Sequence, residues 1–94
     1  MDLDYLVIGA GIAGLSFTAL LEKKCVSSGE RIALLEAHSL VGGCASYFFK
    51  DGHHFDAGAT TLSALHPGQP IYELIKSLDL KLDLRKIDPG LIFL

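Results

Sequence analysis

Three glycines at Gly9-x-Gly11-x-x-Gly14 and one carboxylate, Glu36, are the residues here whose types and spacing could do chemistry. The glycines sit between a run suited to a strand and a run suited to a helix. In that setting the first allows a tight turn out of the strand, the second lets backbone approach a pyrophosphate, and the third lets helix and strand pack closely. A helix N-terminus following such a turn presents free N–H groups and the positive end of its dipole to an anion. The peptide groups of Ala10, Gly11, Ile12 and Ala13 are therefore expected to cradle phosphate. Glu36 closes the next strand-like run, roughly 20 residues further on, where a carboxylate accepts hydrogen bonds from a ribose diol. Its charge repels a 2′-phosphate and so disfavours NADP. Strand, glycines, helix, strand and acid occur in the order a dinucleotide site requires, which a glycine-rich packing turn with a solvated glutamate does not explain.

The elements that must position these residues follow from the pattern of apolar side chains. The run 3–8 is increasingly apolar and suits a strand buried on both faces. Helix formers extend from Ile12 through Lys24, with Ala13, Leu15, Ala19, Leu20 and Leu21 giving a wide apolar surface. Residues 26–29 form a loop, and 31–36 is again a buried-strand pattern. Strand–helix–strand is the unit that builds parallel sheets, so the fold class expected is α/β, a Rossmann-like βαβ unit.

Beyond it, Leu40-Val41-Gly42-Gly43 reads as a turn. The aromatic runs 47–49 and 53–55 flank Lys50-Asp51-Gly52, in which Asp-Gly signals a hairpin. Residues 58–68 read as an irregular loop. Pro70 stands where a helix can start, and Ile71, Leu74, Ile75 and Leu78 follow on one helical face. Leu80, Leu82 and Leu84 alternate with Lys81, Asp83 and Arg85, the period of a strand. Asp88-Pro89-Gly90 is a turn, and 91–94 begins another apolar strand. The domain organisation expected is a cofactor-binding part over 1–78 and the start of a crossing into a second domain over 79–94.

Composition narrows the class. The chain has 94 residues, 8 basic against 11 acidic side chains, and a net charge of −3, which leaves no electrostatic footprint for nucleic acid. Half the residues are apolar and 20% are charged, which excludes a disordered chain. So much apolar surface on so short a chain indicates that something is missing. Cys25 and Cys44 form no CxxC pair and read as reduced thiols in a cytosolic chain. The uncharged stretch 5–21 is short for a membrane span, opens after Asp2 and Asp4 rather than after Lys or Arg, and is interrupted by the glycines. No signal or transit peptide is read from it, and the location expected is cytoplasmic.

The remaining candidates read as structural. His53 and His54 point to opposite faces of a hairpin and cannot easily share a metal, and no ligand-spaced partner accompanies them. His38 and His66 are single loop histidines. Cys44 has no helix start or basic neighbour to lower its pKa, and reads as a small loop residue. Asp56 reads as a turn residue.

Glu36-Ala37, then Val41-Gly42-Gly43, then Gly52-x-x-Phe55-Asp56-x-Gly58 resembles the extended signature of flavoproteins of the amine oxidase and phytoene desaturase superfamily. Gly42-Gly43-Cys44-Ala45-Ser46, the aromatic hairpin and Phe55-Asp56-Ala57-Gly58-Ala59-Thr60 are similar to the carotenoid desaturases and isomerases within it. So are Leu65, Pro67-Gly68, Ile71-Tyr72 and Asp88-Pro89. True amine oxidases more often carry arginine where Cys44 stands, and residues 26–30 make the helix-to-strand connection longer than is usual in the family.

The resemblance implies FAD rather than NAD. It implies Gly9, Gly11 and Gly14 at the pyrophosphate, Glu36 with Ala37 at the adenosine ribose, Gly43 and Cys44 along the ribityl or pyrophosphate side, and Gly58, Ala59 and Thr60 near the flavin ring. It implies hydride removal from, or double-bond isomerisation of, a long apolar polyene, and it leaves peripheral membrane contact open. No catalytic base is assigned, since a flavin ring accepts hydride itself. An amine oxidase-type flavoenzyme, or a truncated non-catalytic nucleotide-binding fragment, stand as alternatives. The missing partner expected is the remainder of the same polypeptide, without which FAD would not be held tightly.

Overall fold

The computed structural model describes residues 2–58 and 61–88. Strand β1 (Tyr5–Ile8) leads through the glycine turn into helix α1 (Ile12–Cys25), which returns to strand β2 (Ile32–Leu35). The two strands pair in parallel, with Tyr5 opposite Ile32 and Ile8 opposite Leu35. This is the α/β unit that the alternation of buried-strand and helix patterns requires. Asp4 fixes its lower end: its carboxylate accepts the Arg31 N–H at 2.8 Å, while its own N–H donates to the Arg31 carbonyl at 3.0 Å.

Helix α1 lies across one face of the pair, the face on which Val7 approaches Gly14. On the other face Leu6 and Ile8 are 53% and 80% exposed, and no described element covers them. The strand pattern calls for burial on both faces, and one is provided here. The helix shows the same mismatch. Ile12, Phe17 and Leu20 remain exposed because α1 is apolar nearly all round, a composition suited to burial on more than one side.

A single 3-10 turn (Gly43–Ala45) follows β2 and leads into a hairpin of β3 (Tyr47–Lys50) and β4 (His53–Asp56). Asp51 and Gly52 both have positive φ, 51° and 79°, the arrangement of the tight two-residue turn that Asp-Gly favours. Phe48 and Phe55 stack across the strands with ring centroids 5.4 Å apart, and Tyr47 packs on His54 at 4.6 Å. Helix α2 (Pro70–Ser77) starts at its proline, as the sequence indicates, and the Lys23 ammonium of α1 donates to the Ser77 carbonyl at its far end.

One expectation is corrected. Residues 80–85 alternate like a strand but adopt no regular structure. A strand exists through pairing, and among the described residues none runs beside this segment. The turn at Asp88-Pro89-Gly90 and the strand over 91–94 lie outside the described residues, Asp88 excepted.

Candidate dinucleotide site

The site lies where ligands of parallel sheets are held, beyond the carboxyl ends of the strands. The Gly9 N–H donates to the Leu35 carbonyl at 2.7 Å and so carries the ladder one step past β1. The chain then turns, with Gly9 at φ 97°, a conformation that side-chain-bearing residues rarely adopt. Ala10 is fully buried beneath the turn. Gly14 is required for a different reason: a Cβ there would overlap the carbonyl oxygen of Gly9. Gly11 faces open space, with no heavy atom within 4 Å of where its Cβ would stand. No side chain caps α1 and no acid occupies its first turn, so the positive end of the helix is left open to an anion.

Glu36 immediately follows β2 and folds back onto the glycine turn. Its Oε2 accepts the Ala10 N–H at 2.6 Å, and its Oε1 accepts the His38 N–H at 2.9 Å. The backbone N–H of His38 and then that of Ala10 hold the carboxyl below the usual carboxylate range, outweighing the small effect of burial. The carboxylate is thus charged, acceptor-only and fixed in place. One feature of the expected cradle differs: the Ala10 N–H donates to Glu36 and is not left free for a phosphate. Ala37 is exposed beside Glu36, and its N–H also favours the ionised carboxylate.

The second glycine pair docks on the first. The Gly42 N–H donates to the Ala10 carbonyl at 2.7 Å, which pairs Gly42 with Gly11 in parallel. A Cβ at Gly43 would stand 3.2 Å from the Gly11 Cα. The next contact continues the row. Ala57 N–H donates to the Ser46 carbonyl at 2.9 Å, and a Cβ on Gly58 would overlap the carbonyl oxygen of Cys44. Gly11, Gly43, Cys44 and Gly58, spread over almost fifty residues of sequence, therefore follow one another along one edge. The Cys44 thiol is exposed. Ala59 and Thr60 lie outside the described residues.

Beside Glu36 opens a cleft of ≈ 270 Å³, lined by Glu36, His38, Leu40, Gly43, Ser46, Tyr47, Phe48 and Ala57. That is just under the range of about 300–1,000 Å³ usual for small-molecule sites, a size suited to part of a dinucleotide rather than all of one. His38 is the residue in it that sequence reasoning passed over. Its position two residues after Glu36 is the signal that could have found it. Among the described residues no group of three or more His, Cys, Asp or Glu is placed to hold a metal ion, and no helix is long and apolar enough to cross a membrane.

A bare glycine edge, an uncapped helix start and an ionised carboxylate fit a dinucleotide. The chain belongs to the family of NAD(P)-binding Rossmann-like domains, which it matches over residues 7–78. It is 35% identical over 77 residues to all-trans-retinol 13,14-reductase of Danio rerio, covering 82% of this chain and 12% of that protein. It is 40% identical over 57 residues to phytoene desaturase of Fusarium fujikuroi, covering 61% of this chain and 9% of the relative. To prolycopene isomerase 2, chloroplastic, of an Oncidium hybrid cultivar it is 36% identical over 61 residues, covering 65% and 10%. The resemblance to desaturases and isomerases carried by the second glycine pair is borne out by these matches. The chain spans about a tenth of the length of the curated relatives it matches. No solved structure matches it.

Proposed function

We propose that this chain is the FAD-binding segment of a flavin-dependent oxidoreductase acting on a long apolar polyene. The observation that carries the reading is the seat of Gly43 against Gly11. It carries close backbone packing from the glycine turn on to Cys44 and Gly58, a row of contacts that would run beside a cofactor longer than a nucleoside diphosphate. Gly9, Gly11 and Gly14 take the pyrophosphate, Glu36 and Ala37 the adenosine ribose, and Gly43, Cys44 and Gly58, with Ala59 and Thr60, the flavin-ward half. Bound there, the flavin supplies hydride transfer to or from carbon.

The relatives' names point to the substrate class, since retinol, phytoene and prolycopene are all apolar polyenes. They also widen the reaction. A reductase stands beside the desaturase and the isomerase, so saturation of a double bond joins hydride removal and isomerisation as outcomes of one site. Such substrates partition into bilayers, and contact of a cytoplasmic enzyme with a membrane surface belongs to the proposal. The exposed face of Leu6 and Ile8 and the length of the relatives support a larger polypeptide around this unit.

The test is to isolate from its native cells the polypeptide that carries this sequence, with an antibody to residues 76–89. Its bound cofactor is then released by denaturation, and the holoprotein is incubated with all-trans-retinol and with phytoene. FAD in the released fraction and turnover of a polyene support the reading. A nicotinamide nucleotide, or no cofactor, would overturn it.

A further inference from the structure

His38 lines the same cleft as Glu36 but offers the opposite hydrogen-bonding sense. Its ring Nδ1 accepts the Leu40 N–H at 3.1 Å. A neutral imidazole carries one protonated and one lone-pair nitrogen, so the proton is on Nε2, at the far side of the ring. His38 is exposed and lines the cleft together with Glu36 and Gly43. The backbone N–H of His38 binds the Glu36 carboxylate, so the acceptor and the donor are tied together within three residues.

The pair matches one kind of group. A hydroxyl both donates and accepts, and a carboxylate alone answers only the first of these. A ribose diol set against Glu36 would leave its lone pairs to be met by a donor in the same cleft, and an imidazole N–H is such a donor. We propose that His38 Nε2–H donates to a ribose hydroxyl of the adenosine half, so that Glu36 and His38 read the diol together as acceptor and donor. This rests on the dinucleotide reading of the site.

The test is a titration of the ¹⁵N-labelled chain with ADP, 2′-deoxy-ADP and 3′-deoxy-ADP. In the free protein the ring resonances should show a lone pair on Nδ1 and a proton on Nε2, and ADP should shift Nε2. His38→Ala should weaken ADP about threefold to tenfold, the usual worth of one hydrogen bond. It should have no effect on the analogue that lacks the contacted hydroxyl. His38→Asn keeps an acceptor for the Leu40 N–H but does not reach the cleft. It should fold as the wild type does and bind as His38→Ala does. Unchanged ADP affinity in the variants, or an equal loss for all three nucleotides, would overturn the inference while leaving the dinucleotide site standing. A folded wild-type chain that binds none of the three would overturn the dinucleotide reading and this inference with it.

Discussion

Glu36 and Ala10, 26 residues apart, are joined by a 2.6 Å hydrogen bond from the Ala10 N–H to the Glu36 carboxylate. It ties the end of β2 to the glycine turn after β1, and it fixes the Glu36 carboxylate in place. Because the N–H groups of His38 and Ala10 favour the ionised form, the folded state holds the Glu36 proton less tightly than the unfolded chain does. Stability from this source is therefore present above the ordinary glutamate value of about 4.3 and is lost as pH falls through the lower folded value. Thermal denaturation of wild type and Glu36→Gln from pH 7 to pH 3 should show the wild type more stable at neutrality and the gap closing in acid. Parallel curves would contradict this.

Gly14 and Gly11 should fail differently. A Cβ at Gly14 meets the backbone of Gly9, so Gly14→Ala should destabilise the fold by about 1–3 kcal/mol, the range for overpacking. Gly11 has an ordinary negative φ and open space before it, so Gly11→Ala should leave the melting temperature nearly unchanged. It should nevertheless weaken ADP binding, because the added methyl occupies the approach to the phosphates. Melting curves with paired ADP titrations separate the two effects.

Gly58→Ala should loosen the hairpin from the 3-10 turn, since its methyl would overlap the Cys44 carbonyl. The signature is faster amide exchange at Ala57, whose N–H is bonded to Ser46, with exchange within β1 and β2 unchanged.

Gly52→Ala should weaken the hairpin by about 1–2 kcal/mol through backbone conformation alone. Its φ of 79° disfavours an L-residue, and no atom stands near the added methyl. The cost should appear as reduced cross-strand contacts between Phe48 and Phe55 in nuclear Overhauser spectra.

The sequence makes legible what local chemistry dictates. The β1–α1–β2 order, the Asp51-Gly52 turn and the start of α2 at Pro70 all follow from short-range signals of periodicity, turn residues and helix starts. The pairing of Gly42 with Gly11, the approach of Gly58 to Cys44 and the capture of the Ala10 N–H by Glu36 depend on segments distant in the chain, and no local pattern encodes them. Residues 80–85 show the converse. Their alternation is that of a strand, but a ladder needs a neighbour, and pattern alone does not supply one. His38 was legible as a loop residue and illegible as a donor, because its tautomer is set by the Leu40 N–H two residues on.

The most direct measurement is an amide chemical-shift titration of the full chain with ADP. Shifts concentrated at 9–14, 36–38 and 42–44 are expected, with a binding curve abolished or strongly weakened by Gly11→Ala. A well-dispersed spectrum that ADP leaves unmoved, or shifts confined to the hairpin and α2, would contradict a dinucleotide site at the glycine turn.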